Sequence, residues 1–209
     1  MKQKITCFCG SNFSVDFDED FNLDQSPETL SQIMDGSFLS FVCPGCNKKH
    51  KPEFPVFINW PSKKLKLEVL PELDRGEFYR RKKDIPGTET VIGYPELADR
   101  LSVVRDGLEP IAVEALKYYL LLKAEENYPD NQISVWYSGT ATGAGQDKCI
   151  EFHIHGIKEN EVAVSRIPWN LYEKTLADFR KKPRQELFVS LRTRSYLSVQ
   201  NMQRPEGLK

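Results

Sequence analysis

Apolar and polar residues alternate along Asn12-Phe13-Ser14-Val15-Asp16-Phe17, which predicts a half-buried strand with Phe13, Val15 and Phe17 on one face. Ser26-Pro27-Glu28 supplies an N-cap, a proline at the first helical position and an early acid, so a helix is expected from there to about Asp35, stopped by Gly36. Ser37 to Val42 is a predicted strand running into Cys43-Pro44-Gly45-Cys46. Lys51 to Trp60 and Lys64 to Leu70 are two more, the second with Leu65, Leu67 and Val69 on one face. Pro71 to Gly87 breaks the pattern with two prolines, two glycines and the run Arg80-Arg81-Lys82-Lys83, a composition suited to an exposed connection.

Beyond that seam the period changes. Tyr94 to Val104 predicts a short helix. Glu109 to Asn127 is the strongest helical segment, with Ile111, Ala115, Tyr118, Tyr119 and Leu122 at helical spacing. Strands are expected at Gln132–Tyr137, Lys148–His155 and Val162–Ile167, the first two paired across a Gly/Thr/Ala loop from Ser138 to Asp147. Pro168 to Arg180 is a helix carrying Leu171, Leu176 and Phe179, and the tail from Leu187 to Met202 is open between strand and helix. The sum is an α+β protein: a β-rich domain with one inserted helix over 1–85, then a small α+β domain over 86–209.

Charge narrows the function classes. The 29 Lys and Arg nearly balance 30 Asp and Glu, so the surface as a whole does not clamp a phosphate backbone, although a local basic patch remains open. The N-terminus runs straight into Cys7 without an apolar stretch, and Ile111 to Ala124 is too short and too charged to span a bilayer. The expected address is the cytoplasm, with no membrane partner.

Five cysteines are present, four of them as Cys7-x-Cys9 and Cys43-x2-Cys46. In a reducing compartment, close cysteine pairs are more readily metal ligands than structural disulfides, the disulfide alternative belonging to a secreted protein. Four thiolates suit a structural zinc ion, which takes a tetrahedron of sulfurs at about 2.3 Å. In Cys43-Pro44-Gly45-Cys46 the proline stiffens the turn and the glycine permits its fold. The first pair is tighter: the chain must bend at Phe8, helped by Gly10, to bring its sulfurs together. His50, four residues past Cys46, is a possible alternative ligand in place of one sulfur; the simpler reading is a solvated histidine beside Lys48, Lys49 and Lys51.

Ile5-Thr6-Cys7-Phe8-Cys9-Gly10, the run from Asp35 through Cys46, and Phe54-Pro55 resemble the CpXC family of bacteria and archaea, named for two Cys-Pro-x-Cys motifs. Glu96-Leu97-Ala98-Asp99-Arg100-Leu101 and Asp106-Gly107-Leu108-Glu109 follow the order of its longer members. The resemblance implies a zinc-ribbon-like module with Cys7, Cys9, Cys43 and Cys46 as the ligand set; it implies no reaction. The first motif departs from the pattern by lacking its proline and one spacer residue.

Weaker candidates remain. Cys149, Glu151, His153 and His155 share one parity of a predicted strand while Ile150, Phe152 and Ile154 take the other, so a second metal site is conceivable on a face that is more simply a polar outer surface. The loop Gly139 to Gly145 lacks the Gly-Lys-Ser/Thr ending of a phosphate-binding loop. Basic clusters at Lys48–Lys51, Lys63–Lys66, Arg80–Lys83 and Arg180–Arg184, with Tyr79, Phe57 or Trp60 available to stack on bases, keep nucleic acid as an alternative partner. No nucleophile–base–acid set is recognisable, and catalytic residues are not assigned. The expected function is therefore a zinc-binding protein that works by binding a partner protein. Nucleic-acid binding is the second reading, and redox sensing or metal-dependent catalysis the third.

Overall fold

The computed structural model describes residues 1–142 and 147–202. It is an α+β fold, as expected, divided into two compact units, Met1–Ala98 and Asp99–Lys209. In the first unit, β1 (Lys2–Thr6) pairs antiparallel with β2 (Asn12–Asp16), placing Ile5 opposite Phe13. The pattern had not marked β1, because only Ile5 of Lys2-Gln3-Lys4-Ile5-Thr6 is apolar; its pairing comes from the partner strand. β3 (Asp20–Asn22) leads into α1 (Pro27–Met34), which ends with Gly36 at φ +68°, as the sequence predicts. Ser26 sits at the N-cap without a side-chain cap bond.

The strand expected over 37–42 is reduced to β4 (Phe41–Val42), paired with β5 (Lys49–His50). Gly36 at φ +68° and Leu39 at φ +46° interrupt an extended chain, and Phe38 is instead buried edge-on against Phe21 with ring centroids 5.0 Å apart. β6 (Val56–Trp60) then runs antiparallel to β7 (Leu65–Leu70), with β3 parallel on its other side. The segment expected to be an exposed connection, Pro71 to Gly87, carries α2 (Arg75–Arg80), and β8 (Glu89–Ile92) follows it, parallel to β7. Arg80, Lys82 and Lys83 are exposed as expected, but Arg81 is pinned. Arg81 grips Glu68 with two contacts of 2.7 Å and lies 4.7 Å over the Phe78 ring, which is fully buried. One face of the sheet β3-β6-β7-β8 buries Val56, Ile58, Trp60, Leu67 and Val69.

The boundary between the units falls within α3 (Tyr94–Arg105). In the second unit, α4 (Pro110–Asn127) packs on an antiparallel sheet of β9 (Ser134–Thr142), β10 (Lys148–His155) and β11 (Ala163–Pro168), followed by α5 (Trp169–Lys181). The ambiguous tail resolves into a short helix, α6 (Glu186–Ser190), and the hairpin β12 (Arg192–Thr193) and β13 (Tyr196–Leu197). Of the loop expected over 138–147, residues 138–142 extend β9, and 143–146 lie outside the described residues.

α4 differs from a surface helix in burying residues nearly all round, including Glu114 and Lys117, while Tyr119 and Leu122 of the predicted stripe are exposed. Lys117 donates to Asp99 and, at 2.8 Å, to Glu114. Asp99 also accepts from the Tyr137 backbone at 2.6 Å and Glu114 from the Val199 backbone at 2.7 Å, so one ionic cluster ties α3, α4, β9 and the tail. Burial pushes the Asp99 carboxyl up. Burial alone would lower the Lys117 ammonium, but its two carboxylate partners outweigh it and hold it charged.

Replacing Lys117 by Met would leave two buried carboxylates without a cation and should cost about 3–5 kcal/mol in denaturant unfolding. Leu73→Ala, at a side chain 96% exposed, should stay within about 0.5 kcal/mol of the parent.

Candidate metal centre

The turn between β1 and β2 is closed by Cys7 N donating to Ser11 O and Gly10 N to Cys7 O, both at 2.9 Å. Gly10 takes φ +87°, the left-handed conformation that the tight Cys-x-Cys bend requires. The turn between β4 and β5 is closed by Cys43 N to Lys48 O and Asn47 N to Cys43 O, also at 2.9 Å. The two turns meet. Cys7 Sγ lies 3.5 Å from Cys46 Sγ, Cys9 Sγ lies 3.7 Å from Cys43 Sγ, and all four ligand atoms fall within 4.8 Å of one another. Sulfurs at about 2.3 Å from a shared zinc would stand roughly 3.8 Å apart in a regular tetrahedron, so this spacing fits a single ion of that size. The four cysteines form the one group among the described residues gathered closely enough to hold a metal ion.

Gly45 is dictated by the approach of the turns. A Cβ there would stand 2.2 Å from Ser11 Oγ, and its N–H donates to Cys43 Sγ at 3.4 Å. Phe17, just past β2, stacks on Phe54 at 4.4 Å, and Phe41 of β4 joins them at 6.3–6.4 Å, so aromatic packing also links the two hairpins.

The thiols differ in character. The Cys9 backbone favours a Cys7 thiolate, but burial and the thiols of Cys9, Cys46 and Cys43 outweigh it, and Cys7 is pushed up to about 12. The Ser11 side chain, then its backbone and Cys7, bring Cys9 down to about 6. Cys7 and Cys43 are buried, Cys46 is half-buried and Cys9 is exposed. In the absence of a cation the cluster therefore does not carry four thiolates, because each added charge raises the cost of the next.

His50 is drawn to the centre rather than left in solvent. Its Nε2 lies 3.1 Å from Cys7 Sγ, and its ring is held between Phe8 at 6.4 Å and Phe13 at 5.9 Å. It stands beside the four-sulfur group as a hydrogen-bond partner of Cys7. The row on β10 stays extended along its strand. Ile150, Phe152 and Ile154 are buried on the core face as expected. Cys149 is buried against Ala141 O at 3.3 Å, Glu151 pairs with Arg166 at 2.9 Å, His153 is 3.9 Å from Glu151, and His155 is exposed. The contribution of Ser11, which separates the two turns and sets the character of Cys9, was not read from the sequence; a serine two residues past a cysteine is too common to signal it.

A family model described as CpXC protein matches residues 5–117, over half the chain and both cysteine turns. The chain belongs to the CpXC family. Similarity extends past the matched region: an "Uncharacterized protein" of Treponema pallidum (strain Nichols) is 29% identical over 220 residues, covering 95% of this chain and 97% of that protein. No solved structure matches. The CpXC match places the four cysteines inside the region that defines the family, while the shortened Cys7-x-Cys9 turn still brings its sulfurs to the shared cluster.

In metal-free protein, iodoacetamide should modify Cys9 first, at a rate that falls as pH drops through about 6. Cys7, held up near 12, should resist alkylation at neutral pH, as peptide mass mapping after a short pulse would show. Equal labelling of Cys7 and Cys9 at pH 7 would contradict this assignment.

Proposed function

We propose that Cys7, Cys9, Cys43 and Cys46 hold one zinc ion as four thiolates, and that this CpXC protein is a zinc-stabilised module acting by binding a partner protein in the cytoplasm. The observation that carries the metal reading is the meeting of four sulfurs from two separate turns within 4.8 Å. Soft thiolate donors in a tetrahedral set suit zinc among the common divalent ions. A bound dication offsets the burial and the neighbouring thiols that keep Cys7 protonated, so metal binding should release protons and couple to folding of the first unit. With four sulfurs filling the coordination sphere, no position is left for a reacting water, and the zinc's role is structural.

Partner binding rests on the absence of a recognisable catalytic set in the sequence and on apolar side chains presented beside the centre. Phe8, between the two cysteines of the first turn, is 98% exposed, and Val42 before the second is 58% exposed. A large aromatic at the tip of a metal-locked turn is a rigid anchor with little conformational entropy left to lose on association.

Protein purified without chelator should contain close to one zinc per chain by elemental analysis. Cys43→Ser should reduce that content severely and lower the melting temperature, and a chelator should lower the parent's melting temperature in the same direction. Stoichiometric absence of zinc together with a melt indifferent to chelator would refute the structural-zinc reading.

A further inference from the structure

The sheet of the first unit has a second face. Along β6, Val56, Ile58 and Trp60 turn to the core, so Phe57 and Asn59 turn to the other side. The register sets two rows there. Asn22 of β3, Asn59 of β6 and Lys66 of β7 are direct cross-strand neighbours, and beside them run Asp20, Phe57 and Glu68. Ile85 and Thr88, before β8, wall the space above, and the result is a groove of about 550 Å³. That lies within the ~300–1,000 Å³ common for small-molecule sites.

The groups in this groove are uncommitted. Among the described residues, the side-chain amides of Gln25 and Asn59 make no hydrogen bond within the protein, and Lys66 makes no ion pair. Asn22 uses its Oδ1 to accept from Asp24 N at 3.1 Å, which leaves its amide N–H groups to donate. Phe57 remains 38% exposed on the floor. Glu68, by contrast, is taken up by Arg81 and Thr90.

These groups define a ligand by chemistry. A carboxamide offers a donor and an acceptor in one plane, which matches the edge of a purine base; an exposed phenyl ring offers a stacking platform; an unpaired ammonium takes a phosphate; a carboxylate accepts from a diol. A carbohydrate would use the amides and the ring but not the lysine. We propose that this groove binds a free purine mononucleotide, with Phe57 under the base, the amides of Asn22, Gln25 and Asn59 at its edge, Lys66 at the phosphate and Asp20 toward the ribose. The site is separate from the cysteine cluster and does not depend on the zinc reading.

Isothermal titration of the full chain with AMP, GMP, CMP and UMP tests this, beside adenosine, ribose 5-phosphate, inorganic phosphate and a hexamer of adenylate. Saturable binding of AMP or GMP below about 1 mM is expected, with the pyrimidine nucleotides weaker. Phe57→Ala should weaken it by roughly 5–100-fold, Asn59→Leu should narrow the gap between purine and pyrimidine, and Lys66→Glu should abolish the preference for AMP over adenosine. Lys63→Glu, beside Trp60 and outside the groove, should change nothing. Circular dichroism of each variant confirms that it is folded. The proposal is overturned if none of the nucleotides binds, if ribose 5-phosphate or phosphate binds as tightly as AMP, if the hexamer binds more tightly than AMP, or if folded Phe57→Ala and Lys66→Glu proteins bind as the parent does.

Discussion

Four thiol sulfurs within 4.8 Å of one another impose the strongest constraint on the first unit. Bringing them there requires two hairpin turns, separated by β3 and α1, to close on the same point. It also forces details that follow from nothing else: a left-handed Gly10, a Gly45 with no room for a side chain against Ser11, and His50 turned inward onto Cys7. Left as thiols, the cluster supplies only weak hydrogen bonds, and left as thiolates it repels itself. The proposed zinc would convert that liability into a tie between β1-β2 and β4-β5, strands too short and too polar to be stable as isolated pairs.

Among the described residues, the second unit shows no such cluster and relies on burial. Its core runs through α4, the inner face of β9 and β10, and the tail, with Ala112, Val113, Ala115, Ile150, Phe152 and Leu191 wholly enclosed. Within that apolar mass the Asp99–Lys117–Glu114 cluster is satisfied by backbone N–H groups as well as by charge, and it fixes which strand and which tail segment meet α4. Apolar burial tolerates sliding, whereas a buried ammonium between two carboxylates has one satisfactory arrangement.

Most helices and the inner strands were legible because their signals are local. α1 has a proline at its start and a glycine past its end, α4 is a long apolar-rich run of helix formers, α5 carries Leu171, Leu176 and Phe179 at helical spacing, and β2, β7 and β10 alternate cleanly. The errors share a cause. β1 and β3 carry almost no apolar alternation and exist because a neighbour offers an edge to pair with. Arg81 departs from the exposed run Arg80-Arg81-Lys82-Lys83 because the run gives no hint that Glu68 and Thr90 wait for it on the adjacent strands. The stripe read on α4 placed Tyr119 and Leu122 inward, because a helix apolar on most sides has no single face for periodicity to find.

The cysteine centre divides in the same way. Spacing and residue type by themselves picked out Cys7, Cys9, Cys43 and Cys46 as a candidate ligand set, since two tight pairs of one soft donor type have few other uses. Only the tertiary structure decided that the one-residue spacer suffices, that His50 reaches Cys7, and that Cys9 is the exposed and acidic member while Cys7 is the buried and basic one. The same holds for the groove, where Asn22 lies far in the chain from the hairpin pair Asn59 and Lys66 and joins their row through strand register. Local preference acts over a few residues. Proximity between distant residues, and the pKa shifts and vacant hydrogen-bonding groups that follow from it, arises from long-range packing that no single segment encodes.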